Sequence, residues 1–227
     1  MPLNPLPQDR DACLATVRRD NRDASYGAGF LQANRADHGP CSVLFGDVLW
    51  ALFQPATVVD FGCASGYTLW SLQRHGADVL GYDISDSAHA FAREVGGDQL
   101  ASHIRAPVDL NDPPPPDEVG KHELAISIEV LEHLRPESAD GIVRTICRSA
   151  PVAAITACPP VGRNPLHLNE QPFDDWIVLF AKHGMGLDVE TTRAVQWFMR
   201  AIKEQGNLTV PSWHFSSYFG IFRRAVE

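Results

Sequence analysis

A chain of 227 residues fits one large domain with a well-buried core, and 44% hydrophobic with 21% charged residues is the composition of a soluble globular protein. The formal charge of −9 argues against a nucleic-acid backbone or an anionic membrane as main partner, since both favour basic surfaces. No apolar run approaches a membrane span, and the N-terminus lacks a charged-then-apolar leader pattern, so a cytoplasmic location is expected.

The elements follow in chain order. Met1–Gln8 is proline-rich and reads as loose, and Arg10–Arg22 has weak helical spacing. Ser25–Gly39 mixes glycine, aromatics and polar residues; it reads either as a flexible segment able to cover a ligand or as an ordinary surface loop. Ser42–Phe53 is apolar enough for a core-facing helix, stopped by Pro55. A first strand ends in Asp60, a turn of small residues passes through Gly62, Ala64 and Gly66, and a helix from Tyr67 to His75 turns Leu69 and Leu72 to the sheet. A second strand, Val79–Tyr82, runs into Asp83, which stands 23 positions after Asp60. Ser87–Val95 is a helix ended by Gly96–Gly97, and His103–Leu110 a third strand that includes Asp109.

The eleven residues Asn111–Lys121, with four consecutive prolines, leave room for at most one helical turn before the fourth strand, Leu124–Ile128. Glu137–Ser149 is a helix striped by Ile142, Val143 and Ile146, and Val152–Ala157 the fifth strand. Beyond a polar loop, Asp174–His183 is a helix, Leu187–Glu190 a short strand, Ala194–Lys203 a helix and Trp213–Phe222 a last strand. Strands alternating with helices predict a doubly wound, mainly parallel α/β sheet of seven strands with an antiparallel C-terminal edge. One domain is expected: an N-terminal helix and covering segment over 1–40, a cofactor-binding core over 41–160, and a substrate-side loop and edge over 161–227. The five cysteines are odd in number and lack C-x-x-C spacing, so they read as buried free thiols.

The strand–turn–helix–strand unit from Thr57 to Asp83 suits an adenosine ligand, with Asp83 placed to grip a ribose diol. Its small residues do not fall in the dinucleotide spacing, and no phosphate-gripping lysine follows. An acid beside the turn repels phosphate and suits a ligand carrying a cation. Asp60-Phe61-Gly62-Cys63-Ala64-Ser65-Gly66 resembles the first motif of class I S-adenosylmethionine-dependent methyltransferases, D/E-x-G-x-G-x-G, with Ala64 at the middle glycine. Ser127–Leu134, SIEVLEHL, resembles the E-V-L-E-H segment of small-molecule methyltransferases. His167-Leu168-Asn169 resembles the H-x-N stretch of a branch that acts on sugars and natural products.

The resemblance implies the Rossmann-like methyltransferase fold, S-adenosylmethionine as cofactor and S-adenosylhomocysteine as product. It places Asp83, with Ile84 beside it, on the ribose, Asp109 and Leu110 on adenine, and the backbone near Ile128 and Glu129 along the methionyl part. Tyr26 is a further candidate for the cofactor site or the acceptor pocket. His167 is the expected base, His133 the second catalytic candidate, and Asn169, Glu170 and His214 the expected acceptor contacts. The bland readings stay open: Asp83 and Asp109 as helix caps, His167 and Asn169 as loop-satisfying groups. No metal is assigned; Glu129, His133 and His167 are conceivable ligands, but no tight ligand spacing supports them. The expected reaction is O-methylation of a small-molecule hydroxyl, with N-methylation of a small amine or cofactor binding without catalysis as alternatives. A homodimer is compatible with the sequence, which carries no sign for or against one.

Overall fold

The computed structural model describes residues 25–160, 164–205 and 218–225. Seven helices carry labels here: α1 Ala28–Phe53, α2 Tyr67–Arg74, α3 Ala88–Ala101, α4 Pro116–Val119, α5 Ala139–Ser149, α6 Phe173–Lys182 and α7 Val189–Glu204. The strands are β1 Thr57–Phe61, β2 Asp78–Tyr82, β3 Ile104–Arg105, β4 Leu124–Ser127, β5 Val152–Thr156, β6 Met185–Leu187 and β7 Phe219–Arg224.

The strands form one sheet in the order β3-β2-β1-β4-β5-β7-β6. Strands β1 to β5 run parallel, while β7 is antiparallel to both β5 and β6. Successive residues of a strand face opposite sides, and the core divides accordingly. Val58, Ile126, Ala154 and Ile221 pack with α1, α2, α3 and α7, whereas Val59, Phe61, Ala125, Ile155 and Phe222 pack with α5 and α6. Burial on both faces explains why these strands read as continuous apolar runs rather than alternating ones. The doubly wound, mainly parallel fold with antiparallel C-terminal pairing is thus present, with β7 inserted inside β6 rather than lying at the edge itself.

Four expectations change. Ser25–Gly39 is not a loop: helix α1 begins at Ala28 and runs through Pro40 to Phe53. Its glycines and polar residues lower helix propensity, but burial of Leu31, Cys41, Phe45 and Leu49 overrides that local preference. The third strand keeps only Ile104–Arg105, since Pro107 has no N–H to continue the ladder; Val108 donates instead to the Asp83 carbonyl at 2.7 Å. The sixth strand lies earlier than Leu187–Glu190, and α7 starts earlier than expected, because Asp188 caps it by accepting from the Thr191 N–H. Finally, Leu131–His133 forms a short 3-10 turn, so Glu129 and His133 do not share a face of an α-helix. The proline-rich connection holds a single turn, α4, as its length requires. The N-terminal segment 1–24 and the first half of Trp213–Phe222 lie outside the described residues, and none of the described helices is long and apolar enough to cross a membrane.

Candidate active site

A cavity of about 660 Å³ opens over the C-terminal ends of β1, β2 and β4, beneath the N-terminal half of α1. Open α/β sheets place ligands here because the strand order reverses at this point and the following loops diverge. Gly62 turns the chain out of β1 with φ 91°, and a Cβ on it would sit 2.3 Å from the Val130 side chain. Only glycine fits both the conformation and the space. Ala64 also takes a left-handed backbone, φ 49°, which costs a non-glycine residue some strain.

The turn is tied down by Asp83. One carboxylate oxygen accepts the Ala64 N–H at 2.8 Å and the other the Ser85 N–H at 2.8 Å, so the acid at the end of β2 anchors the loop after β1. Burial raises its pKa, and the amides of Ser85, Ala64 and Ile84 work against that rise by favouring the anion. Asp60 is deeper and less supported. Burial, with the Asp83 charge adding to it, pushes its carboxyl up to about 8, so at neutral pH it holds its proton more often than not. Asp109 lines the same cavity, its Oδ1 accepting from the Asn111 main chain and side-chain amide at 3.0 and 2.9 Å. Ile84, Leu110 and Ile128 complete the apolar walls around these acids.

At the far end the cavity meets a cluster of ionisable groups from three segments. Glu129 sits at the end of β4 with φ 57°, its N–H donated to Thr156 Oγ1 on β5 at 2.6 Å. His133, on the 3-10 turn, has Nδ1 2.9 Å from the Tyr26 hydroxyl and 3.2 Å from the Leu166 carbonyl. His167 Nδ1 lies 2.9 Å from Glu170 Oε1, and the two imidazoles meet edge to face with centroids 4.6 Å apart. Burial, with the His167 ring next in effect, lowers the His133 pKa to about 4, so this ring is neutral at neutral pH. Burial likewise raises Tyr26 to about 12 and keeps its hydroxyl protonated.

Glu132 lies behind this wall, fully buried, with neither carboxylate oxygen in a hydrogen bond. Burial raises its pKa, the Glu129 carboxylate adds to the rise, and the nearby amides of Glu132 and Cys158 offset part of it. A carboxyl whose folded pKa lies above its unfolded one binds its proton more tightly in the native state. Its stabilising contribution is therefore complete in acid and is lost as pH climbs from about 4.5 through the raised value. Glu132→Gln, which mimics the protonated form, should raise the melting temperature by several degrees at alkaline pH, the gain fading toward pH 5. An equal gain at every pH, read by thermal denaturation of the cofactor-free protein, would clear Glu132 of this role.

The expected residues thus divide. Asp60, Gly62, Ala64, Gly66, Asp83, Ile84, Asp109, Leu110, Ile128, Glu129, Tyr26, His133 and His167 all line the one cavity. Asn169 and Glu170, the expected acceptor contacts, are not among the residues that line it. Glu170 stands behind His167, and the Asn169 N–H donates to the Glu132 carbonyl at 2.9 Å, so both serve the wall rather than its surface. His214 lies outside the described residues. Sequence reasoning missed Glu132, Thr156 and the α1 residues Phe30, Asn34 and His38, which also line the cavity or support it. The pair Glu132-His133 beside Glu129, within SIEVLEHL, was the available signal.

The chain matches the family model described as a methyltransferase domain over residues 41–208. Among solved structures it is similar to magnesium protoporphyrin IX methyltransferase from Synechocystis PCC 6803 with bound SAM, at 18% identity and TM-score 0.60, covering 98% of this chain and 100% of that one. It is also similar to the 1,6-didemethyltoxoflavin-N1-methyltransferase of Burkholderia thailandensis, solved with its substrate and S-adenosylhomocysteine, at 15% identity and TM-score 0.61, over 100% and 93% of the two chains. The mitomycin 7-O-methyltransferase matches at 18% identity and TM-score 0.52, over 95% of this chain and 67% of that one. No curated protein sequence matches it.

Proposed function

The chain belongs to the methyltransferase-domain family, and from that premise we propose that it moves a methyl group from S-adenosylmethionine to a hydroxyl of a small molecule, a sugar or natural product. The observation that carries this reading is the continuity of one cavity. It is lined both by the anchored carboxylate of Asp83 and by the edge-to-face pair of His133 and His167. In this assignment Asp83 holds the ribose hydroxyls, Asp109 and Leu110 the adenine, and Gly62, Ala64 and Gly66 let the backbone approach the amino-acid end. Asp60 and Glu129 face the cationic part of the donor.

The reaction is an in-line displacement. A bond forms from acceptor oxygen to methyl carbon while the carbon–sulfur bond breaks, and its electron pair stays on sulfur as the neutral thioether of S-adenosylhomocysteine. The hydroxyl proton must leave. His167 is the group assigned to it: Glu170 is an acceptor at Nδ1, so Nδ1 carries the hydrogen and Nε2 is left with the lone pair a base needs. Positioning of donor and acceptor does the rest.

An acceptor panel incubated with methyl-labelled S-adenosylmethionine tests this. Label fixed on oxygen of a polyhydroxylated or phenolic molecule is the expected result. Label found only on amine nitrogen would replace the O-methyl reading with N-methylation, for which a proton acceptor matters less.

A further inference from the structure

Glu132 is the group that the proposed reaction leaves without a task. A fully buried carboxylate that has only the loosely placed amides of Glu132 and Cys158 near it, neither in good hydrogen-bond geometry, is costly unless something further compensates it. It does not stand alone: ligand atoms of Glu132, His133 and His167 all lie within 4.8 Å of one another. Three donors about 2.1 Å from one tetrahedral cation stand about 3.4 Å apart, so side-chain rotations that close the trio by up to about 1.4 Å bring all three onto one ion.

The hydrogen bonds behind the two rings set their tautomers. Glu170 takes the Nδ1 hydrogen of His167. The Leu166 carbonyl, which can only accept, faces Nδ1 of His133 and fixes the hydrogen there as well, with the Tyr26 hydroxyl beside it. Both rings therefore present Nε2 as a lone pair. A carboxylate or carbonyl behind the distal nitrogen is the usual support of a metal-bound imidazole. A second grouping, Cys158 with His167 and Glu170, shares His167 but spends Glu170 on the ring hydrogen bond and holds its thiol protonated, with burial raising it to about 11.

We propose that Glu132, His133 and His167 bind a divalent cation of the Mn2+ or Zn2+ type at the acceptor end of the cavity. One carboxylate and two imidazoles suit such borderline ions, and three protein ligands leave positions open for acceptor oxygens. The acceptor class that fits is one with two adjacent oxygens, a vicinal diol, catechol or hydroxy-carbonyl, able to chelate. This use of the ion rests on the proposed methyl transfer and refines it. A cation held there would make His167 a ligand in place of a base, and would supply Lewis acidity that lowers the pKa of an acceptor hydroxyl so that water could take its proton.

The test is titration of chelator-treated full-length protein with Mn2+, followed by electron paramagnetic resonance, and with Zn2+ by calorimetry, both without S-adenosylmethionine. Saturable binding of one ion per chain is expected, weakened at least about tenfold in Glu132→Gln and in His167→Ala. It should be unchanged in His75→Ala, which removes the separate surface pair of His75 with Asp47. Melting curves identify folded variants; should one variant not fold, the other decides. No saturable binding of either ion, or affinity unmoved in the folded variants, would overturn the site. Cofactor titration of the same samples separates the two ideas: cofactor binding without ion binding defeats only this one, and ion binding without cofactor binding defeats only the proposed function.

Discussion

Asp83→Ala should weaken S-adenosylmethionine binding at least about 100-fold, the loss of about 3 kcal/mol expected when hydrogen bonds to a charged group disappear. Two effects combine. The ribose loses its acceptor, and the N–H groups of Ala64 and Ser85 lose the oxygens that fix the turn. Asp83→Asn separates these, because the amide oxygen keeps one backbone bond while the charge and one acceptor go. Its affinity should fall between wild type and the alanine variant. Calorimetric titration reads both, and an unchanged affinity in Asp83→Ala would remove the ribose assignment.

His167→Ala should lower turnover by about 100- to 10,000-fold, the range for loss of a group that manages the acceptor proton, with S-adenosylmethionine affinity little changed. His167 meets the cavity from the loop after β5 and Asp83 from the end of β2, so the two assignments separate in the measurement. Residual activity of the variant should climb with pH, since hydroxide then takes the proton that the enzyme no longer handles. Wild-type turnover at several pH values would end its role as base and as ligand alike. His133→Ala gives a further comparison: it removes the partner of the Tyr26 hydroxyl and so loosens the start of the segment above the cavity.

The proposed cofactor half of the site is built from residues that are local in sequence, so their gathering in one cavity was legible. Asp60 to Gly66 and Asp83 sit at strand ends, and a strand's direction fixes where its last residue points. The acceptor half depends on contacts between distant segments, which periodicity does not encode. Tyr26 reaches His133 across 107 positions and the Glu129 N–H meets Thr156 across 27. Glu132 drew no reading of its own from the sequence, because nothing local marks that the 3-10 turn buries it. Ser25–Gly39 was misread for a related reason. Small and polar residues suggest a loop, yet Leu31, Cys41 and Phe45 fall at spacings that bury them, and packing outweighs a few tenths of a kcal/mol of propensity per residue, to about 1 for glycine. The same helix brings Phe30, Asn34 and His38 to the cavity, with Tyr26 just before its start.

The buried acids give the account its sharpest physical signature. Asp60 carries a carboxyl pushed up to about 8 in a cavity whose proposed ligand bears a positive charge. A cation nearby favours the ionised carboxylate, lowers that pKa and drives the proton off. Calorimetric titration at pH 7 in two buffers of different ionisation enthalpy, with S-adenosylmethionine and separately with NAD, is the most direct test. S-adenosylmethionine should bind one per chain with net proton release, visible as a buffer-dependent enthalpy, and NAD should not bind. Preference for NAD, or S-adenosylmethionine binding without any proton release, would contradict a site built around a cationic methyl donor.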